Sequence, residues 1–194
     1  MPTPEFYRYF LCCRPGAHLY PAFRRLASEC GQSDRLDHLH MTLCVIAEQA
    51  ERDRFLPRRV QAAFLGERLH SFPVNLSRVV AGLHGSEART FGRQDALQDF
   101  YRMVVRRLRT VGIEALHRKS GLRPHVTLGY GARRPGLQRI ELEWFPTELL
   151  LIESEVGLSR HNMLDRWPLL PPRQGILPFD IVSSNRVISR RRRG

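Results

Sequence analysis

His40-Met41-Thr42-Leu43 and His125-Val126-Thr127-Leu128 are two copies of one pattern: histidine, apolar residue, threonine, leucine. In a β-strand successive side chains point to opposite faces. Each copy therefore sets an imidazole beside a hydroxyl on one face and two apolar side chains on the other. Eight histidines and six threonines in 194 residues give roughly 0.25 His-x-Thr pairs in a random order of the same residues. Two occur, both with an apolar middle residue and a following leucine. The same chemistry on two distant segments predicts that they converge on one site.

Working outward, residues 5–13 are aromatic and apolar enough for a strand, and Pro15-Gly16 then separates them from a helical pattern over 18–30. After the turn Gly31-Gln32-Ser33-Asp34, residues 40–46 read as the strand that carries the first motif. Residues 51–69 have helix-like apolar spacing around Pro57, and 72–83 alternate like a strand. Gly92 breaks the chain. Leu97, Phe100, Tyr101, Val104, Val105 and Leu108 then recur at helical spacing within 96–111. The second motif opens a short strand over 125–130, and 140–144, 148–156 and 161–167 are further strands between Pro and Gly signals. Each half thus holds a His-x-Thr strand, a helix and partner strands. This pattern predicts an α+β protein of two similar lobes facing each other over residues 1–170. Residues 171–194 read as a peripheral extension ending in Arg190, Arg191, Arg192 and Arg193, a basic tail.

With 42% hydrophobic residues the chain can bury a sizeable core. Its net charge of +12 and pI near 10.8 point to a polyanionic partner, because clustered cations bind phosphates and release counterions. Lys119 is the sole lysine; every other basic residue besides histidine is arginine, the side chain suited to bidentate phosphate recognition. Cys12, Cys13, Cys30 and Cys44 all fall in the first quarter without Cys-x-x-Cys spacing, which excludes a disulfide framework. No stretch approaches the ~18 apolar residues of a membrane helix, and no secretory leader pattern opens the chain. A cytoplasmic, soluble monomer without membrane contact is the expectation.

Two imidazoles facing a shared cleft suit phosphoryl chemistry. One removes a proton from the attacking oxygen while the other protonates the departing one, and histidine has the ordinary pKa for both roles near neutrality. The hydroxyls of Thr42 and Thr127 can donate to non-bridging phosphate oxygens. This scheme calls for no metal and no cofactor. His38, two residues before His40, and Cys44 do not add up to the three or four convergent ligands of a zinc site, so His38 reads as a cleft-edge or loop residue. Arg123 is placed to bind phosphate beside the second motif, and Phe10 and Tyr130 to stack on a base.

On these residues the chain resembles the 2H phosphoesterase superfamily, and within it the RNA 2′,3′-cyclic phosphodiesterases historically named 2′-5′ RNA ligases. Carrying the resemblance are the two motifs, the opening Arg8-Tyr9-Phe10-Leu11, the run Arg123-Pro124-His125-Val126-Thr127-Leu128, Leu151-Ile152-Glu153-Ser154 and Leu164-Asp165-Arg166-Trp167-Pro168-Leu169. It spans about residues 5–170. The resemblance implies a bilobal α+β fold, with a mainly antiparallel sheet and helices in each lobe around a central cleft. It also implies metal-independent opening of RNA 2′,3′-cyclic phosphate ends to 2′-phosphomonoesters, and reversible 2′-5′ ligation when an RNA 5′-hydroxyl is the nucleophile. His40 and His125 would be the acid–base pair, of undecided order, and Thr42 and Thr127 the phosphate-binding hydroxyls. His161 stands where such proteins often have tyrosine, and Gly129-Tyr130 where a small and a basic residue are common. Two alternatives stay open: a non-catalytic RNA-binding protein with a basic cleft, and a cyclic phosphodiesterase acting on small nucleotides.

Overall fold

A computed structural model describes residues 3–32, 38–116, 122–131 and 136–172. Of the expected extension, 173–194 with its four terminal arginines lies outside the described residues, as do Ser33 and Asp34 of the expected turn. Eight strands and three α-helices follow one another as β1 (Tyr7–Cys13), α1 (Tyr20–Glu29), β2 (Met41–Gln49), α2 (Leu56–Phe64), β3 (Val74–Gly82), β4 (Gly85–Thr90), α3 (Asp95–Thr110), β5 (His125–Tyr130), β6 (Gly136–Trp144), β7 (Glu148–Glu155) and β8 (Arg160–Pro168). The fold is α+β.

Strand β6 begins four residues earlier than the expected 140–144, and two further differences from the sequence pattern have a local reason. The helix expected over 51–69 is confined to α2. Pro57 sits in its first turn, where the missing N–H costs nothing, and the Asp53 carboxylate accepts the amides of Phe55 (2.8 Å) and Leu56 (3.0 Å). Residues 51–55 are thus a capping turn. Strand β4 went unread because its inward positions are Ser86 and Ala88, too small and too polar to register as an alternating apolar stripe. A central strand squeezed between helices and neighbouring strands takes small residues.

The strands form one antiparallel sheet in the order β6-β3-β4-β5-β2-β1-β7-β8. It consists of two four-stranded halves that meet at a single bridged pair, Met41 on β2 and Val126 on β5. The halves of the sheet are not the halves of the chain: β7 and β8 return to pair beside β1, so the first and last strands share a lobe and β3 to β6 make the other. The helices knit the lobes together, since α1 lies against β5 and α3 against β2. One face of the sheet packs on the helices through Leu11, Met41, Leu43, Val79, Ala88, Val126 and Leu128, all buried. On the opposite face Phe10, Cys12, Leu150 and Ile152 form a small buried apolar cluster in one lobe.

Candidate active site

The Met41–Val126 pair fixes the site. Both side chains are fully buried on the helix side, which turns His40 and Thr42 of one strand, and His125 and Thr127 of the other, to the opposite face. Because the strands run antiparallel, this register carries His40 toward Thr127 and Thr42 toward His125, an exchange with approximate two-fold symmetry. With only one bridged pair, the two strands diverge below it and leave a cleft of about 410 Å³. All of the residues singled out in the sequence, His40, Thr42, His125, Thr127, Arg123, Phe10 and Tyr130, line it.

Each histidine is held in the same way. The Nδ1 of His40 lies 2.6 Å from the His38 carbonyl oxygen, and the Nδ1 of His125 lies 2.8 Å from that of Arg123. A carbonyl only accepts, so in both rings Nδ1 carries the proton and donates it. Nε2 is left as the atom whose protonation changes.

Their surroundings differ. His40 is stacked on the buried Phe10 ring (centroids 5.0 Å apart, planes 25°) and meets the edge of His161 at 5.3 Å. Burial pushes its pKa from the ordinary 6.5 down to about 4. The His38 hydrogen bond opposes this, and the positive charge of Arg14 with the neighbouring rings of His125 and His38 adds to it. His40 is therefore neutral at pH 7. Next to His125, by contrast, Glu87 Oε1 lies 3.8 Å from Nε2, within ion-pair range of a protonated ring. Glu87 is in turn held by Arg89 at 2.7 Å. No signal in the sequence pointed to Glu87, because it sits on the strand whose pattern was too weak to read.

His38 lies in the cleft, as expected of a residue at its edge, and its Nδ1 is 3.4 Å from the Nδ1 of His161. One ring of that pair must donate and the other accept. Tyr130 is 75% exposed at the rim. Arg8, Ser154 and Ser159 also line the cleft; no motif marks them as site residues, since they come from separate segments that the β1–β7–β8 pairing unites. Among the described residues no group of three or more His, Cys, Asp or Glu side chains is arranged to hold a metal ion. Likewise no helix among them is long and apolar enough to cross a membrane.

This fold recurs in solved structures. Escherichia coli LigT, solved with 3′-AMP, superposes with a TM-score of 0.65 at 19% identity, covering 85% of this chain and 99% of that one. A structure described as a phosphoesterase gives a TM-score of 0.63 at 20% identity over 86% of this chain and 98% of its own. A Thermus thermophilus protein gives 0.67 at 16% identity over 84% and 97%. No protein-family profile and no curated protein matches the chain. The protein has the fold of LigT-like phosphoesterases.

Proposed function

We propose that the protein is a two-histidine phosphoesterase that hydrolyses 2′,3′-cyclic phosphate ends of RNA to 2′-phosphomonoesters, with 2′-5′ ligation as the related reaction of the same cleft. The observation that carries this reading is the matched pair of rings, each anchored through Nδ1 to the carbonyl two residues before it. Such anchoring leaves two Nε2 atoms, flanked by two hydroxyls, as proton carriers facing one space. E. coli LigT has been solved with phosphate, 3′-AMP, ATP and NADP+, all phosphate-bearing ligands. The net positive charge of this chain favours the same chemistry.

The asymmetry of the site supports one division of roles. His40, neutral at pH 7, is the base: its Nε2 takes a proton from water as the water oxygen bonds to phosphorus. His125, with a carboxylate beside it to partner the protonated ring, is the acid: its Nε2 gives a proton to the 3′-oxygen as the P–O3′ bond breaks. The phosphate stays on the 2′-oxygen. His40 then releases its proton to solvent and His125 takes one up, which resets the pair. Thr42 and Thr127 donate to the non-bridging oxygens, Arg123 and Tyr130 contact the substrate at the rim, and Phe10 acts by stacking on His40.

The test is turnover, in EDTA, of an oligoribonucleotide ending in a 2′,3′-cyclic phosphate, with the position of the product phosphate identified. Wild type should yield the 2′-phosphate, and His40→Ala and His125→Ala should each lose at least about 10²-fold in kcat. Full activity in both variants would overturn the two-histidine mechanism. Salt-sensitive RNA binding with no turnover would favour a binding protein instead.

A further inference from the structure

The cleft-side face of the lobe that carries His125 holds a row of arginines that only the strand register reveals. On the β4–β5 pair Arg89 stands opposite His125, on β3–β4 Arg78 stands opposite Arg89, and on β3–β6 Arg139 stands opposite Arg78. Directly opposed residues in an antiparallel sheet project from the same face. The adjacent row, Val79, Ala88 and Val126, points into the helix-side core, which places the arginine row with His125 on the cleft side. The row therefore starts at a reacting histidine and crosses three strands to the edge of the sheet, a distance of about 14 Å at the usual strand spacing of ~4.8 Å.

Along the row the charge becomes progressively freer. Arg89 is engaged with Glu87. Arg78 and Arg139 form no ion pair among the described residues. The Arg78 Nε is buried without a hydrogen-bond partner, and its guanidinium lies 5.3 Å over the ring of Phe91, which is 72% exposed. Several arginines on the helix side of the molecule are by contrast neutralised locally, as in Arg102–Asp99, Arg107–Glu67 and Arg109–Glu114. On the other lobe, Phe10, Cys12, Leu150 and Ile152 form a buried apolar cluster on the cleft side of the sheet. The arginine side of the site thus suits a phosphodiester backbone.

We infer that Arg89, Arg78 and Arg139, with Phe91, form a track for the nucleotides upstream of the reacting terminal phosphate, so that the substrate is single-stranded RNA several nucleotides long and not a mononucleotide. This rests on the proposed function for the chemistry at its end, but the track itself is a binding site for an RNA backbone. Its span exceeds what one nucleotide fills. An exposed aromatic ring beside free guanidinium groups is the pairing that binds single strands without sequence preference.

The decisive experiment measures binding of a fluorescent hexaribonucleotide with a 2′-phosphate end as a function of salt, for wild type, R78Q/R139Q and R58Q/R106Q. The last pair removes the same charge from exposed positions on α2 and α3. Arg139→Gln alone is included because that side chain is exposed on the edge strand and its loss leaves folding intact. Wild type and R58Q/R106Q should bind alike. R78Q/R139Q should bind more weakly, with the log–log salt slope shallower by about 1.4, or ~0.7 for each phosphate no longer neutralised, and Arg139→Gln by about half of that. Equal slopes in all four proteins would overturn the track. Because the readout is binding, a track can stand even if no cyclic phosphate is turned over. If turnover is found, the wild-type preference in kcat/KM for the hexamer over the cyclic mononucleotide should shrink at least tenfold in R78Q/R139Q. An absent preference in wild type would overturn the inference while leaving the two-histidine chemistry intact.

Discussion

At the residue scale the two histidines show how one side chain is given two environments by its neighbours. Identical Nδ1 anchors set both rings in the same tautomer, and the difference lies beyond the ring: Phe10, His161 and burial for His40, a carboxylate for His125. Since the His40 pKa is lowered to about 4, the acid limb of kcat/KM should lie near pH 4, well below that of an exposed imidazole. A pH–rate profile whose acid limb stays near 6.5 would show that His40 is not the base. The same shift affects stability. His40 is neutral in the folded protein while an unfolded chain protonates it below 6.5, so the unfolded state binds more protons between 6.5 and about 4. Its contribution to stability is complete above 6.5 and is lost as pH falls toward 4; His40→Phe should flatten that part of the stability–pH curve in denaturant titrations. Glu87→Gln removes the partner of the protonated His125 ring, and kcat should fall about tenfold with little change in KM, the effect of ~1.4 kcal/mol on the barrier.

The β2–β5 junction governs at the element scale. Most other neighbouring strands are zipped along much of their length, whereas these two share one bridged pair and then separate. That economy opens the cleft, and it puts the alignment of both motifs on Met41 and Val126, neither of which has any exposed surface. Met41→Ala should cost about 2–5 kcal/mol in urea unfolding, while Met41→Leu, which keeps the volume, should cost less than ~1.5 kcal/mol. Glycine is required at one nearby turn: a Cβ on Gly85 would lie 2.6 Å from the Gly129 carbonyl oxygen, so the start of β4 can approach β5 only without a side chain.

On the scale of the whole molecule the four cysteines are part of the packing, although two are adjacent and one follows the first motif. All are buried and unpaired, and burial pushes the thiols of Cys12 and Cys44 up to about 12 and that of Cys13 well above its ordinary value. Iodoacetamide should therefore modify none of them in the native protein and all four in urea, a difference that intact-mass measurement reads directly. Several helix arginines are neutralised locally, as in Arg102–Asp99 and Arg109–Glu114, whereas Arg78 and Arg139 on the sheet face have no ion pair among the described residues.

The sequence alone determined the candidate site residues and most of the elements, because both are local. A His-apolar-Thr-Leu strand declares its two faces by alternation, and α3 declares itself by the spacing of Leu97, Phe100, Val104, Val105 and Leu108, all buried. Tertiary structure decided what depends on register between distant segments. The Met41–Val126 pair sets which side chains face each other, the pairing of β7 with β1 brings Ser154 and His161 into the cleft, and β4 delivers Glu87 and Arg89 to His125. Which histidine is buried and which has a carboxylate beside it could not be read from two identical motifs, since desolvation and ion pairing belong to neighbours far away in the chain.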